Sequence, residues 1–102
     1  MNITTLWTGS LASQQSATLS ANPFDYSVIY VVFKVESKFL VMTILPMLYT
    51  TEMQSSISAV ADRNIYYFAY TEVALTSSTI TVRTIVESGW TGSRIVGVYG
   101  IK

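Results

Sequence analysis

The chain of 102 residues carries six basic and six acidic side chains, so it is formally neutral, and half of its residues are hydrophobic. A neutral chain without a basic cluster lacks the electrostatic footprint of a nucleic-acid-binding protein. The sequence contains neither cysteine nor histidine, which excludes disulfides, thiolate metal sites and nucleophiles activated by histidine.

The remaining polar side chains offer little for catalysis. The acidic residues are scattered along the sequence and none forms a close pair. The alternative is a carboxylate pair of the kind used in glycoside hydrolysis that assembles only in space. The sequence also lacks a glycine-rich phosphate loop, an EF-hand loop and a recognised metal-binding motif. We therefore expect no enzymatic activity, no cofactor and no metal ion.

Membrane insertion is not expected either. The longest uninterrupted apolar run extends from Val28 to Phe33, far short of the roughly 18–20 residues that a membrane-spanning helix needs. Residues 1–5 have neither the basic segment nor the apolar segment of a signal peptide. The sequence thus predicts no membrane insertion and no signal peptide.

Hydrophobic residues alternate with a period of two along most of the chain, and threonine, valine, isoleucine and tyrosine are frequent, which indicates strands. The pattern predicts strands at residues 3–8, 15–20, 26–36, 38–46, 64–75, 78–87 and 93–101. Because no helix of ten residues separates these strands, parallel βαβ units are not expected. We predict an all-β protein with one domain over residues 1–102, an antiparallel β-sandwich of jelly-roll type with about seven to eight strands.

The segments between the strands carry turn residues. A polar break at residues 36–38 predicts a hairpin, and Asp25 is expected to cap the turn at Asn22 and Pro23. The tetrapeptide Trp-Thr-Gly-Ser occurs at residues 7–10 and again at 90–93, which suggests two similar corners between a strand and a turn.

Residues 50–62 leave two alternatives. Met53, Ile57 and Val60 have helix-like spacing, so the segment forms either one helical turn with a loop or an eighth, poorer strand.

Several predicted strands are apolar on both faces. In the third strand, for example, Tyr30 and Val32 alternate with Ile29 and Val31. A two-layer sandwich buries only one face of each sheet, and a large exposed apolar patch marks an interaction surface. We therefore predict a homo-oligomer, with coverage of one sheet by residues 50–62 as the alternative. The predicted interface residues are Tyr30, Val32, Tyr66, Phe68, Tyr70 and Tyr99.

Aromatic residues supply the candidates for ligand binding. Tyr66 and Tyr70 belong to an aromatic cluster on one strand, and Trp90 lies beside turn glycines. Exposed aromatic rings are suited to stacking on sugars or to protein interfaces. The predicted ligand-binding residues are Trp90, Tyr66 and Tyr70, and the alternative is that the tyrosines belong to the core. Trp7 is expected to anchor the core at the end of a strand.

Four segments resemble small β-sandwich domains at the C-terminal end of tailed-phage fibre, tail-spike and baseplate proteins. Residues 5–10 resemble the opening Leu-Trp-Ser-Gly strand of that family, and residues 17–20 its short second strand. Residues 24–29 are similar to its strand beginning Tyr-Asp, and residues 94–102 to its glycine-bearing closing strand.

The resemblance implies a structural protein of the virion, made in the cytoplasm of the bacterial host. It implies a homotrimer that contacts other virion proteins and attaches to a glycan or protein of the host surface, and it transfers no catalytic residue. One alternative is a purely structural component of the head, baseplate or tail without host contact. Another is a soluble lectin-like module that binds carbohydrate.

Overall fold

The computed structural model of the protein describes residues 2–61 and 64–102, the side chains of residues 64–66 excepted. Within these residues the chain forms eight strands and two short 3-10 helices, at Pro23–Asp25 and Pro46–Leu48. The strands are β1 (Ile3–Leu11), β2 (Ser16–Thr18), β3 (Val28–Val35), β4 (Lys38–Ile44), β5 (Met53–Ala61), β6 (Asn64–Leu75), β7 (Thr79–Ser88) and β8 (Arg94–Ile101). No helix in the described part of the chain is long and apolar enough to cross a membrane.

The strands form two four-stranded antiparallel sheets that pack face to face. Sheet A has the order β1-β8-β3-β4, and sheet B has the order β2-β7-β6-β5. The first strand pairs with the last in sheet A, and the second pairs with the seventh in sheet B. Strands from the two ends of the chain are therefore neighbours in both sheets. This arrangement confirms the predicted all-β antiparallel sandwich.

The core lies between the two sheets. Alternate residues of β3 are fully buried, and residues of β6, β7 and β8 meet them from the inner faces. The largest fully buried side chains are Phe33, Leu6, Ile29, Met53, Leu75, Ile80 and Ile95. The period of two in the sequence therefore corresponds to one buried face on each sheet.

Residues 50–62 contain a strand, so the helical alternative is wrong. β5 pairs with β6 from Met53 to Ala61 and forms the edge of sheet B. Met53 is buried, whereas Val60 lies on the opposite, exposed face, so the helix-like spacing does not describe one buried stripe. Because β5 extends a sheet, it does not cover the outer face of either sheet as the alternative supposed.

Two predictions about turns need correction. The side chain of Asn22, not that of Asp25, caps the first 3-10 helix, because its Oδ1 accepts a hydrogen bond from the Phe24 backbone at 2.9 Å. The Trp-Thr-Gly-Ser copy at residues 7–10 is not a corner, because β1 continues through it to Leu11. The second copy does precede β8, and the hairpin at residues 36–38 is confirmed.

Candidate functional site

The outer face of sheet A carries a continuous apolar surface across all four strands. Tyr30 lies directly opposite Tyr99 on β8, and Val32 lies opposite Val41 on β4. Together with Ile3 on β1, these four residues line a shallow apolar hollow of about 310 Å³. We call this surface the apolar face; its members are Ile3, Tyr30, Val32, Val41 and Tyr99.

Two side chains of the apolar face, Ile3 and Val41, are exposed, and the other three are half-buried. Ile3 is 61% exposed and Val41 is 48% exposed, and Phe39 beyond Val41 on the same strand is 63% exposed. Tyr99 lies flat, because its ring covers Gly97, where a Cβ would come within 2.6 Å of the Tyr99 ring. A flat, exposed apolar sheet surface is suited to packing against another protein surface.

The predicted interface residues are divided between the two sheets. Tyr30, Val32 and Tyr99 lie together on the apolar face, whereas Phe68 and Tyr70 lie on the outer face of sheet B, on the opposite side of the sandwich. The side chain of Tyr66, predicted both for the interface and for ligand binding, lies outside the described residues.

The outer face of sheet B is more polar around Tyr70. The Tyr70 hydroxyl donates a hydrogen bond to Glu72 Oε2 at 2.7 Å, and Ser58 lies opposite Tyr70 on β5. The hydrogen bond to the Glu72 carboxylate raises the pKa of Tyr70 above its ordinary value, because only the protonated hydroxyl can donate it. A polar hollow of about 260 Å³ lies beside this pair.

Trp90 is half-buried and packs against the core from the loop between β7 and β8. Its ring meets Tyr67 edge to face, with 6.1 Å between the ring centroids. Lys38 Nζ lies 4.9 Å from the centroid of the Trp90 ring, a distance typical of a cation–π contact. Both rings therefore contribute to the structure of this end of the sandwich.

Trp7 is likewise half-buried against the core, in the middle of β1 rather than at its end.

A polar cleft of about 430 Å³ opens on sheet A at the same end of the sandwich as Trp90. We call it the end cleft. Its lining includes Gly9 and Ser10 from the first Trp-Thr-Gly-Ser copy, and Thr91 and Gly92 from the second. The two copies, more than 80 residues apart in sequence, thus border one cleft because β1 and β8 are neighbours.

Two cations in the end cleft were not predicted from the sequence. Lys34 on β3 and Arg94 on β8 line the cleft, together with Glu36 and Val96. The two cations are direct cross-strand neighbours, although they are 60 residues apart in the chain. Only the register between β3 and β8 brings them together, and no local pattern in the sequence carries that register.

Comparisons with known proteins do not place the chain in a family. No protein-family model matches the sequence, and no curated protein is significantly similar to it.

Proposed function

We propose that the protein is a structural protein of a phage virion that assembles as a homotrimer and attaches the virion to the host cell surface. The apolar face is the single observation that carries the assembly. The resemblance of both chain ends to tail-fibre domains supports the virion role. In the structure those ends are β1, at the edge of sheet A, and β8, the inner strand with which β1 pairs.

The energetics favour burial of the apolar face. Removing one large apolar side chain from water contributes about 1.5–3 kcal/mol, and several such side chains lie side by side here. Ile3, Tyr30, Val32, Val41 and Tyr99 are all uncharged. The cations Lys34 and Arg94 lie beyond Val32 on the same outer face of sheet A, at one end of the apolar face. Three chains that meet through this face would present three copies of each remaining surface, and multivalent contact raises avidity without a strong single site.

The mass of the protein in solution tests the assembly. We expect light scattering after gel filtration to give three times the 11.3 kDa of the chain. Val41→Lys places a charge in the apolar face and should yield the monomer. Val86→Lys is the matched control, because Val86 is a strand valine of nearly equal exposure, 47%, on the outer face of sheet B. A monomeric wild-type protein would contradict the proposal, as would dissociation by the control substitution alone.

Host attachment is tested with intact cells. Labelled protein should sediment with cells of the bacterial host of phages that encode this sequence. The Val41→Lys monomer should sediment much less, because avidity is lost. A trimer that does not bind these cells would instead support a purely structural virion component. A monomer that binds carbohydrate would support the lectin-like alternative.

A further inference from the structure

The end cleft lies where the ladders on both sides of β8 are irregular, around Val96. Between β3 and β8, Val32 pairs with Gly97 and Phe33 pairs with Ile95, so Val96 has no partner. Between β1 and β8, Gly9 and Ser10 are similarly left without partners. These three unpaired residues all line the cleft. Bulges of this kind often lie next to functional sites, where they redirect side chains.

The charges in the cleft are arranged at a cost to stability. Like charges directly opposite each other on neighbouring strands are destabilising, yet Lys34 faces Arg94 across the β3–β8 ladder. In residues 2–61 and 64–102 the one ion pair joins Arg83 to Glu52, so neither cleft cation forms an ion pair with a described carboxylate. Lys34 Nζ lies 5.7 Å from the Phe39 ring centroid, and Arg94 Nη1 donates to the Ser93 carbonyl at 2.7 Å.

Two carboxylates bind the loop between β7 and β8. Glu87 Oε2 accepts a hydrogen bond from the Ser93 backbone at 3.1 Å, and Glu36 Oε1 accepts a longer one from the Thr91 backbone at 3.4 Å. The loop is thereby fixed as one wall of the cleft. On that wall Gly92 has a φ of +76°, and a Cβ there would meet no atom within 4 Å, so the backbone is open to approach.

We propose that the end cleft binds a small organic anion, with its carboxylate or phosphate group held between Lys34 and Arg94. The guanidinium of arginine donates two parallel hydrogen bonds to either group, and lysine adds a compact positive charge. Ser10 and Thr91 place hydroxyl-bearing residues on the wall for the polar body of the ligand. The cleft volume lies within the range of small-molecule sites.

The test is an NMR titration of the isotope-labelled protein with four compounds: glucuronate, glucose 6-phosphate, inorganic phosphate and glucose. We expect saturable shifts of the amides of Gly9, Ser10, Thr91, Gly92 and Arg94 with at least one of the anionic sugars, and none with glucose. A response to glucuronate alone assigns a carboxylate ligand. A response to glucose 6-phosphate and inorganic phosphate assigns a phosphate ligand.

Variants of the cleft sharpen the test. Arg94→Gln and Lys34→Gln should each weaken binding about tenfold, as expected for loss of a hydrogen bond to a charged group. Glu36→Gln should strengthen binding, because it removes the carboxylate from the lining. Lys102→Gln is the matched control, since Lys102 lies over Tyr26 at the opposite end of β8.

Three results would overturn the anion site: no shifts with any anion, shifts centred elsewhere, or undiminished binding by Arg94→Gln. The cleft is built by one chain, so its failure is distinct from failure of the trimer. Light scattering on the same samples separates the two proposals. A monomer that binds the anion would support the anion site and contradict the proposed trimer.

Discussion

Ser93 illustrates at the scale of one residue how the loop before β8 is held. The residue is fully buried, and its backbone is fixed by Glu87. Its hydroxyl, however, has no hydrogen-bond partner within the described residues. A buried hydroxyl without a partner loses its hydration and gains nothing in return. The position is therefore determined by the backbone contact and not by the side chain.

We expect Ser93→Ala to raise the free energy of unfolding by about 1 kcal/mol, because it removes an unsatisfied buried polar group of nearly the same shape. Urea denaturation measures the change. Thr71→Val is the matched contrast: Thr71 is equally buried, but its hydroxyl donates to the Thr84 carbonyl at 2.9 Å. That substitution should lower stability by a similar amount, and equal losses in both variants would contradict the account of Ser93.

At the scale of the element, β8 contains two glycines, Gly97 and Gly100, that lie on opposite faces of sheet A. A Cβ at Gly100 would come within 2.7 Å of the Tyr26 ring and close to Ile29, both buried in the core. A Cβ at Gly97 would instead meet Tyr99, whose ring lies half-exposed on the apolar face. Because only the second ring has room to move, the same added methyl group has different consequences at the two positions.

Gly100→Ala should therefore lower the free energy of unfolding by about 1–3 kcal/mol, the range for an overpacked core. Gly97→Ala should cost clearly less. Thermal or urea denaturation of the two variants side by side makes the comparison. A larger loss for Gly97→Ala would mean that Tyr99 is held as rigidly as Tyr26.

The strands themselves were largely predictable, because alternation of apolar and polar residues is a local property of the chain. β7 and the β3–β4 hairpin follow directly from it. β5 did not, since its serine-rich alternation around Ile57 is weak and its pairing with β6 supplies the hydrogen bonds. The first Trp-Thr-Gly-Ser copy also lies inside β1, because pairing with β8 extends that strand through turn-like residues.

At the scale of the whole molecule, the sandwich is asymmetric. One outer surface is the apolar face of sheet A, and the other carries the hydrogen-bonded Tyr70 and Glu72 on sheet B. If the apolar face is buried between chains, unfolding is linked to dissociation and stability depends on protein concentration.

We therefore expect the melting temperature to rise by roughly 5 °C for each tenfold increase in protein concentration. Differential scanning calorimetry over a range of concentrations measures this dependence. Val41→Lys should abolish it, whereas Val86→Lys should preserve it. A melting temperature of the wild-type protein that is independent of concentration would refute assembly through this face.

The sequence by itself determined the all-β class, most of the strands and the absence of histidine and cysteine chemistry, because composition and alternation are properties of neighbouring residues. It also showed that some strands are apolar on both faces. Only the tertiary structure decided that Tyr30, Val32 and Tyr99 share one surface while Tyr70 lies on the opposite one. It alone placed Lys34 beside Arg94, because cross-strand neighbours are selected by long-range register and by bulges, which shift that register by one residue at a time.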